Sequence, residues 1–309
     1  MHIKILGSAA GGAFPQWNCN CRNCRSLRDG TLKGKSRTQT QVAIGDDNRT
    51  WFLLNASPDL RAQIEATPVL LPRHHGRTSP IGGVLLTSAD IDQVAGLLSL
   101  RELQPFRIYC TASIRRILQE DNSVFAMLNR VPYQVSWVDI SCDGSFCLQA
   151  LPERGAGINC SVFSLGNRFP AYVSNDRSLA LRQEEALLGV IATSSSGRSL
   201  AYMPAAPAVD DSLLTRLEEI DLLLFDGTFW SDDELIRVQG SGSTAAEMGH
   251  MPVSGAGGSL RKLAGLRRPR KVFLHVNNTN PMLDESGPEY REVRAAGWEV
   301  AEDGWSIDL

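Results

Sequence analysis

Basic residues are in no excess in this chain. Thirty-one Lys and Arg stand against 34 Asp and Glu, a formal net charge of −3, and that balance argues against a nucleic-acid partner, which calls for a basic face. Long apolar runs are missing as well, and none approaches the roughly 20 residues a membrane-spanning helix needs. The apolar part of Met1-His2-Ile3-Lys4-Ile5-Leu6-Gly7 is too short for a signal-peptide core and reads as a first strand. No linker, low-complexity run or fixed-period repeat divides the sequence, so the expectation is a single domain over residues 1–309. Cysteines without secretory features fit a reducing, cytoplasmic setting. Histidine is scarce at five residues, which limits imidazole ligands to His2, His74, His75, His250 and His275.

What the chain does have is three cysteines in six residues, Cys19-Asn20-Cys21-Arg22-Asn23-Cys24. This C-x-C-x-x-C spacing lets three thiolates converge on one soft tetrahedral cation, zinc first. A fourth ligand must come from elsewhere. The competing reading is a disulfide plus an odd thiol, but neighbours this close reach disulfide geometry poorly. Cys110, Cys142, Cys147 and Cys160 lack metal spacing and sit in or beside apolar stretches, so core packing is their expected role.

Short β-branched strands are predicted at Ile3–Leu6, Thr40–Ile44, Trp51–Leu54, Val84–Leu86, Phe106–Cys110 and Gln134–Val138, with helices over Val94–Glu102 and Ser113–Glu120. The stretch from Cys142 to Gln183 shows no clean pattern. Strands then follow at Gly189–Thr193, Leu200–Met203, Leu222–Phe225, Lys271–His275, Trp298–Ala301 and Ser306–Asp308, with helices over Asp211–Ile220, Leu260–Leu266 and Pro288–Ala296. Strands first antiparallel and then interleaved with helices predict an α/β (α+β) protein of two mixed sheets covered by helices.

The polar segment Thr87-Ser88-Ala89-Asp90-Ile91-Asp92-Gln93-Val94-Ala95-Gly96 follows a predicted strand and starts a helix. Alternating polar side chains just beyond a strand point into one cleft. Locally, Ser88 or Asp90 capping the following helix is the simpler explanation.

Seven blocks occur in order: Gly7-Ser8-Ala9-Ala10-Gly11-Gly12, Pro15-Gln16-Trp17-Asn18, Arg37-Thr38-Gln39-Thr40, Leu54-Asn55-Ala56-Ser57-Pro58-Asp59, Phe225-Asp226-Gly227-Thr228, Met248-Gly249-His250-Met251 and His275-Val276-Asn277-Asn278-Thr279-Asn280-Pro281. Together they resemble the PqqB family of pyrroloquinoline quinone (PQQ) biosynthesis, distant relatives of the metallo-β-lactamases, over the whole chain. PhnP phosphodiesterases and RNase Z enzymes look like remoter kin. The resemblance implies an αββα sandwich, a structural zinc on Cys19, Cys21 and Cys24, and a homodimer in contact near that zinc. In PhnP-like relatives a His completes the zinc site where this chain has Asn278. An Asn278 oxygen, a water or another segment is left as the fourth ligand.

Where the superfamily carries H-x-H-x-D-H, this chain has Ser88, Asp90, Asp92 and Gln93. The resemblance places Asp90, Asp92, Gln93 and His275 at the active-site metal and gives His250 and Asp90 catalytic roles. Pro204-Ala205 replaces the bridging aspartate, and no His occurs between Ala156 and Asp176. Too few donors remain for a dinuclear hydrolytic centre. Two imidazoles and a carboxylate suit one Fe(II) or another divalent metal, and the resemblance to the PqqB family implies an iron- and oxygen-dependent hydroxylase of the tyrosine in a Glu-Tyr precursor. Arg37, Arg101 (beside Glu102) and Asp226 are the candidate substrate contacts, with surface ion pairs as the alternative for the arginines. Asp226 reads equally as an active-site orienter or as a cap on Gly227-Thr228. His2 is expected to be partly exposed, and His74 and His75 to lie in a solvated basic loop. The rival readings are a non-catalytic carrier of PQQ or its precursor and a phosphodiesterase-like hydrolase.

Overall fold

The computed structural model describes residues 1–151 and 154–309, with the backbone alone at 154–156. Along the chain come β1 (His2–Gly7), α1 (Arg22–Arg28), β2 (Gln41–Gly45), β3 (Trp51–Leu54), α2 (Leu60–Glu65), β4 (Ile81–Leu85), α3 (Ile91–Val94), β5 (Phe106–Cys110), α4 (Ala112–Gln119), β6 (Val135–Asp139), β7 (Ser145–Ala150) and β8 (Arg154–Gly166). There follow α5 (Asn175–Leu179), β9 (Leu187–Thr193), β10 (Ser199–Met203), α6 (Asp211–Leu217), β11 (Leu222–Asp226), α7 (Glu234–Gln239), α8 (Ser259–Lys262), β12 (Arg270–Leu274), α9 (Pro288–Ala295), β13 (Trp298–Val300) and β14 (Trp305–Asp308). Mixed β-sheets with helices make up the fold, as the strand pattern predicts. The chain forms two compact units: Met1–Leu6, Gln41–Ser199 and Gly304–Leu309 in one, Gly7–Thr40 and Leu200–Asp303 in the other.

The first unit carries a sheet of order β14-β1-β2-β3-β4-β5-β6. β1 pairs antiparallel with β14 and β2 with β3, whereas β3 to β6 run parallel. Every residue of β2, β3 and β4 is buried, the mark of strands covered on both faces. Helix α4 buries Ile114, Ile117 and Leu118, one stripe at helical spacing. Its N-cap Thr111 accepts a hydrogen bond from the Ile114 N–H.

Two expectations change here. The helix predicted over Val94–Glu102 is a single α-turn, α3, running into a 3₁₀ segment at Ala95–Leu100. Gly96 presses so closely on the preceding loop that a Cβ there would lie 2.1 Å from the Ser57 carbonyl oxygen, and Val94 departs from helical geometry at φ −127. The unpatterned stretch after Cys142 contains β7 and β8, which with β9 form an antiparallel meander. Ile158, Cys160 and Val162 alternate into its buried face, a period-two run confined to part of a long irregular stretch of sequence.

In the second unit β10, β11, β12 and β13 are parallel neighbours. Trp298 of β13 stacks on Phe273 of β12, ring centroids 4.1 Å apart, and both are buried. The helix predicted at Leu260–Leu266 is the shorter α8. It starts after Gly258, where a Cβ would meet the Ser254 carbonyl oxygen at 2.2 Å.

Candidate metal centres

Parallel pairing of β11 with β12 sets Asp226 opposite Leu274, so the two strand ends deliver Asp226 and His275 together at the carboxyl edge, the usual ligand side of parallel strands. His275 leaves β12 in the left-handed region, φ +59, a conformation that His adopts more readily than most residues. His250 reaches the same place from the Gly249 turn. Asp226, His250 and His275 gather ligand atoms within 4.8 Å of one another, all three buried.

Thr228 organises this cluster. Its hydroxyl donates to Asp226 Oδ1 at 2.6 Å and lies 2.8 Å from His275 Nδ1 and 3.1 Å from His250 Nδ1. His250 Nδ1 is also 2.8 Å from Asp226 Oδ2. With the hydroxyl proton committed to Asp226, the oxygen accepts from Nδ1–H of His275, while Asp226 accepts from Nδ1–H of His250. Both rings therefore carry their proton on Nδ1 and their lone pair on Nε2, the tautomer a metal ligand requires.

Asp226 is itself 0 % exposed. Its oxygens accept further from the Thr228 and Ala206 N–H groups at 3.0 and 2.9 Å. Burial alone would raise its pKa, but the electrostatic attraction and hydrogen bond of His250, aided by His275 and Thr228, hold it below the usual carboxylate range. The assignment of Asp226 as a substrate contact is corrected. It caps Thr228 and orients His250 at once, and its side chain is wholly buried.

The polar segment of the first unit is built differently from the expectation. Asp90 stands at the N-cap position of α3 but makes no side-chain cap bond. Instead Ser88 Oγ donates to Asp90 Oδ2 at 2.7 Å and accepts the Asp90 N–H at 3.1 Å. The capping explanation is thus replaced by a local Ser–Asp clasp. Asp92 lies in the first turn of α3, half-buried.

Gln93 is buried, and its Oε1 accepts from Asn55 Nδ2 at 2.7 Å and Thr87 Oγ1 at 2.8 Å. Both lone pairs are committed, so Gln93 acts here as a hydrogen-bond acceptor rather than a metal ligand. The Leu54–Leu85 register of β3 and β4 sets up this network, because Asn55 and Thr87 leave adjacent strand ends. Neither residue was singled out as functional from sequence.

In the cysteine knot, Cys19, Cys21 and Cys24 bring their sulfurs within 4.8 Å of one another. The Asn278 amide lies over that face, with Nδ2 3.1, 3.7 and 3.3 Å from the three sulfurs in turn. Turning the amide over would present Oδ1 to a bound cation instead. Asn23 Nδ2 anchors the same loop by donating to the Asn278 and Asn280 carbonyls at 3.2 and 2.9 Å. Burial pushes the Cys21 thiol up to about 12. Burial acts on Cys19 too, but hydrogen bonds from Cys21, Cys24 and Asn278 bring that thiol below its ordinary value.

The remaining candidates disperse. Arg37 is buried at 3 % exposure, with Nη1 donating to Ser8 Oγ at 3.3 Å, so its role as a substrate contact is corrected to that of an interior charge. Arg101 is exposed and pairs with Glu102 at 3.4 Å. His2 is partly exposed against Asp308, and His74 and His75 lie on an exposed loop. Cys110 and Cys160 are buried, but Cys147 is exposed and Cys142 half-buried, contrary to a shared core role. No helix among the described residues is long and apolar enough to cross a membrane.

Residues 50–276 match the family model of a beta-lactamase superfamily domain. The chain is 44% identical over 309 residues to coenzyme PQQ synthesis protein B of Azotobacter vinelandii and 42% identical to that of Pseudomonas putida, with all of each chain covered. Its structure is similar to that of Zn(2+)-bound PqqB from Methylobacterium extorquens, at a TM-score of 0.91 and 40% identity over the full length of both chains. A diphosphatase of the PhnP family aligns at a TM-score of 0.67 and 16% identity, covering 100% of this chain and 97% of that one, a likeness that shows the fold alone.

Proposed function

Because this chain belongs to the coenzyme PQQ synthesis protein B family of the beta-lactamase superfamily, we propose that it acts in PQQ biosynthesis as a hydroxylase of the tyrosine in a Glu-Tyr precursor. The names of its relatives support the pathway. What supports the chemistry is the buried His250–His275 pair, held at Nδ1 by Asp226 and Thr228. Two imidazoles beside a carboxylate are a donor set that suits Fe(II). His250 and His275 would hold the ion through Nε2, and Fe(II) there would supply dioxygen activation.

The chain's own contribution is orientation and exclusion of water. Asp226 keeps the Nδ1 proton on His250, Thr228 keeps it on His275, and the burial of all three maintains a low dielectric around the rings. At Cys19, Cys21 and Cys24 the proposal is a structural zinc. Protein loaded with ferrous iron without oxygen, then given Glu-Tyr, oxygen and a reductant, is expected to yield a catechol product. Stoichiometric iron with no product would defeat the hydroxylase reading.

One observation favours a carrier instead. The saturated Gln93 carbonyl removes a donor that the resemblance assigned to the metal. A carrier binds PQQ tightly without metal, which calorimetry on chelator-treated protein would detect.

A further inference from the structure

In the first unit a cleft of about 560 Å³ opens between the turn before β3 and the loop before β4. That volume falls in the range of small-molecule sites. Arg49, Arg73 and His74 line it, Ile81 and Leu151 give it an apolar floor, and no acidic residue is among its described lining residues. One cationic group is pre-set, and the backbone that carries a second is held. Arg73 Nη2 donates to the carbonyls of Asn48 and Val69, which fixes the plane of its guanidinium. The turn carrying Arg49 is pinned by Asp47, whose Oδ1 accepts the Arg49 and Thr50 N–H groups at 2.9 and 3.1 Å. That contact directs the carboxylate of Asp47 at its own turn.

Thr78 adds an independent sign of a ligand. The residue lines the cleft, and its hydroxyl oxygen is buried behind that lining with no hydrogen-bond partner within the chain. An unsatisfied buried hydroxyl is costly unless something binds to it. Fixed guanidinium forks recognise carboxylate and phosphate oxygens alike, but the apolar floor selects an anion with a hydrocarbon body.

We propose that this cleft binds a small organic anion carrying two or more carboxylates, held by Arg49 and Arg73 and completed by the Thr78 hydroxyl. The site does not depend on the metal chemistry proposed above.

Calorimetry on the full chain with benzene-1,3,5-tricarboxylate as probe tests this. Saturable one-to-one binding is expected, weakening as salt is raised. Arg49→Gln and Arg73→Gln should each weaken it about ten-fold, with circular dichroism confirming the fold. Thr78→Val keeps charge and shape. It should weaken binding roughly three- to ten-fold while leaving the melting temperature unchanged or raised, a combination no structural role for Thr78 would produce. His250→Ala should bind the probe as the native chain does. Absence of saturable heat would overturn the proposal, as would native affinity in folded Thr78→Val and Arg49→Gln, or loss of binding in His250→Ala. Inorganic phosphate binding as tightly as the tricarboxylate would overturn the assignment to an organic anion.

Discussion

The imidazoles of His250 and His275 lie stacked, 5.4 Å between centroids and 22° between planes, and both are tied at Nδ1 to the single hydroxyl of Thr228. Thr228 holds the Nδ1 proton of His275 and Asp226 that of His250, so each ring keeps its lone pair on Nε2.

Thr228→Val removes that shared tie together with the hydrogen bond to Asp226 Oδ1. Affinity for ferrous or zinc ion at this centre should fall about 10- to 100-fold, as when other outer-shell partners of metal-binding histidines are lost. His275→Ala should remove the ion altogether while the cysteine site keeps its own. Metal content by mass spectrometry checks both, and a His275→Ala protein with undiminished metal would refute the centre.

Asn278 predicts the behaviour of the cysteine knot. Asn278→His supplies an imidazole, a better zinc ligand than an amide oxygen, and should slow zinc loss to a chelator by about ten-fold or more. Asn278→Ala should hasten it. Equal rates in all three proteins would mean that Asn278 plays no part in holding the ion.

Gln93 should prove structural. Gln93→Ala strips the acceptor from Asn55 Nδ2 and Thr87 Oγ1 inside a buried network, at a cost of about 1–3 kcal/mol. Urea unfolding of the metal-free protein measures this directly.

Glu234 carries the pH prediction. Burial raises its pKa to about 7, despite hydrogen bonds from Thr279 Oγ1 and the Trp230 N–H that act the other way. Between the unfolded value near 4.3 and about 7 the folded chain keeps a proton that the unfolded chain releases. Stability therefore falls as pH rises through that window and levels off above it. The loss is about 4 kcal/mol at most, at 1.36 kcal/mol per pH unit. Unfolding in urea at pH 5 and pH 8 should show this drop in the native protein and a smaller one in Glu234→Gln.

Much of the fold could be read directly. Leu222–Phe225 is apolar throughout and becomes β11, and the stripe of Ile114, Ile117 and Leu118 becomes α4. The meander of β7 and β8 escaped notice because its pairing partner, not its own period, makes it a strand. At the site, His250 and His275 were legible as the two credible imidazoles of five. Arg37 was not legible as buried, because an arginine's surroundings depend on what folds over it. Asp226-Gly227-Thr228 at a strand end was the available signal for the anchor, yet nothing local said which of its two readings applied, and the structure uses both.

By itself the sequence determined what short range controls: strands and helices from periodicity, and a thiol cluster from three cysteines within one turn and its approach. The tertiary structure decided which side chain serves which. Thr228 meets His250 and His275 across 22 and 47 residues of chain, and Gln93 meets Asn55 across 38. Such pairs are set by strand register and loop closure, and a hydrogen bond tolerates only a few tenths of an ångström of error in either. No spacing along the chain encodes that.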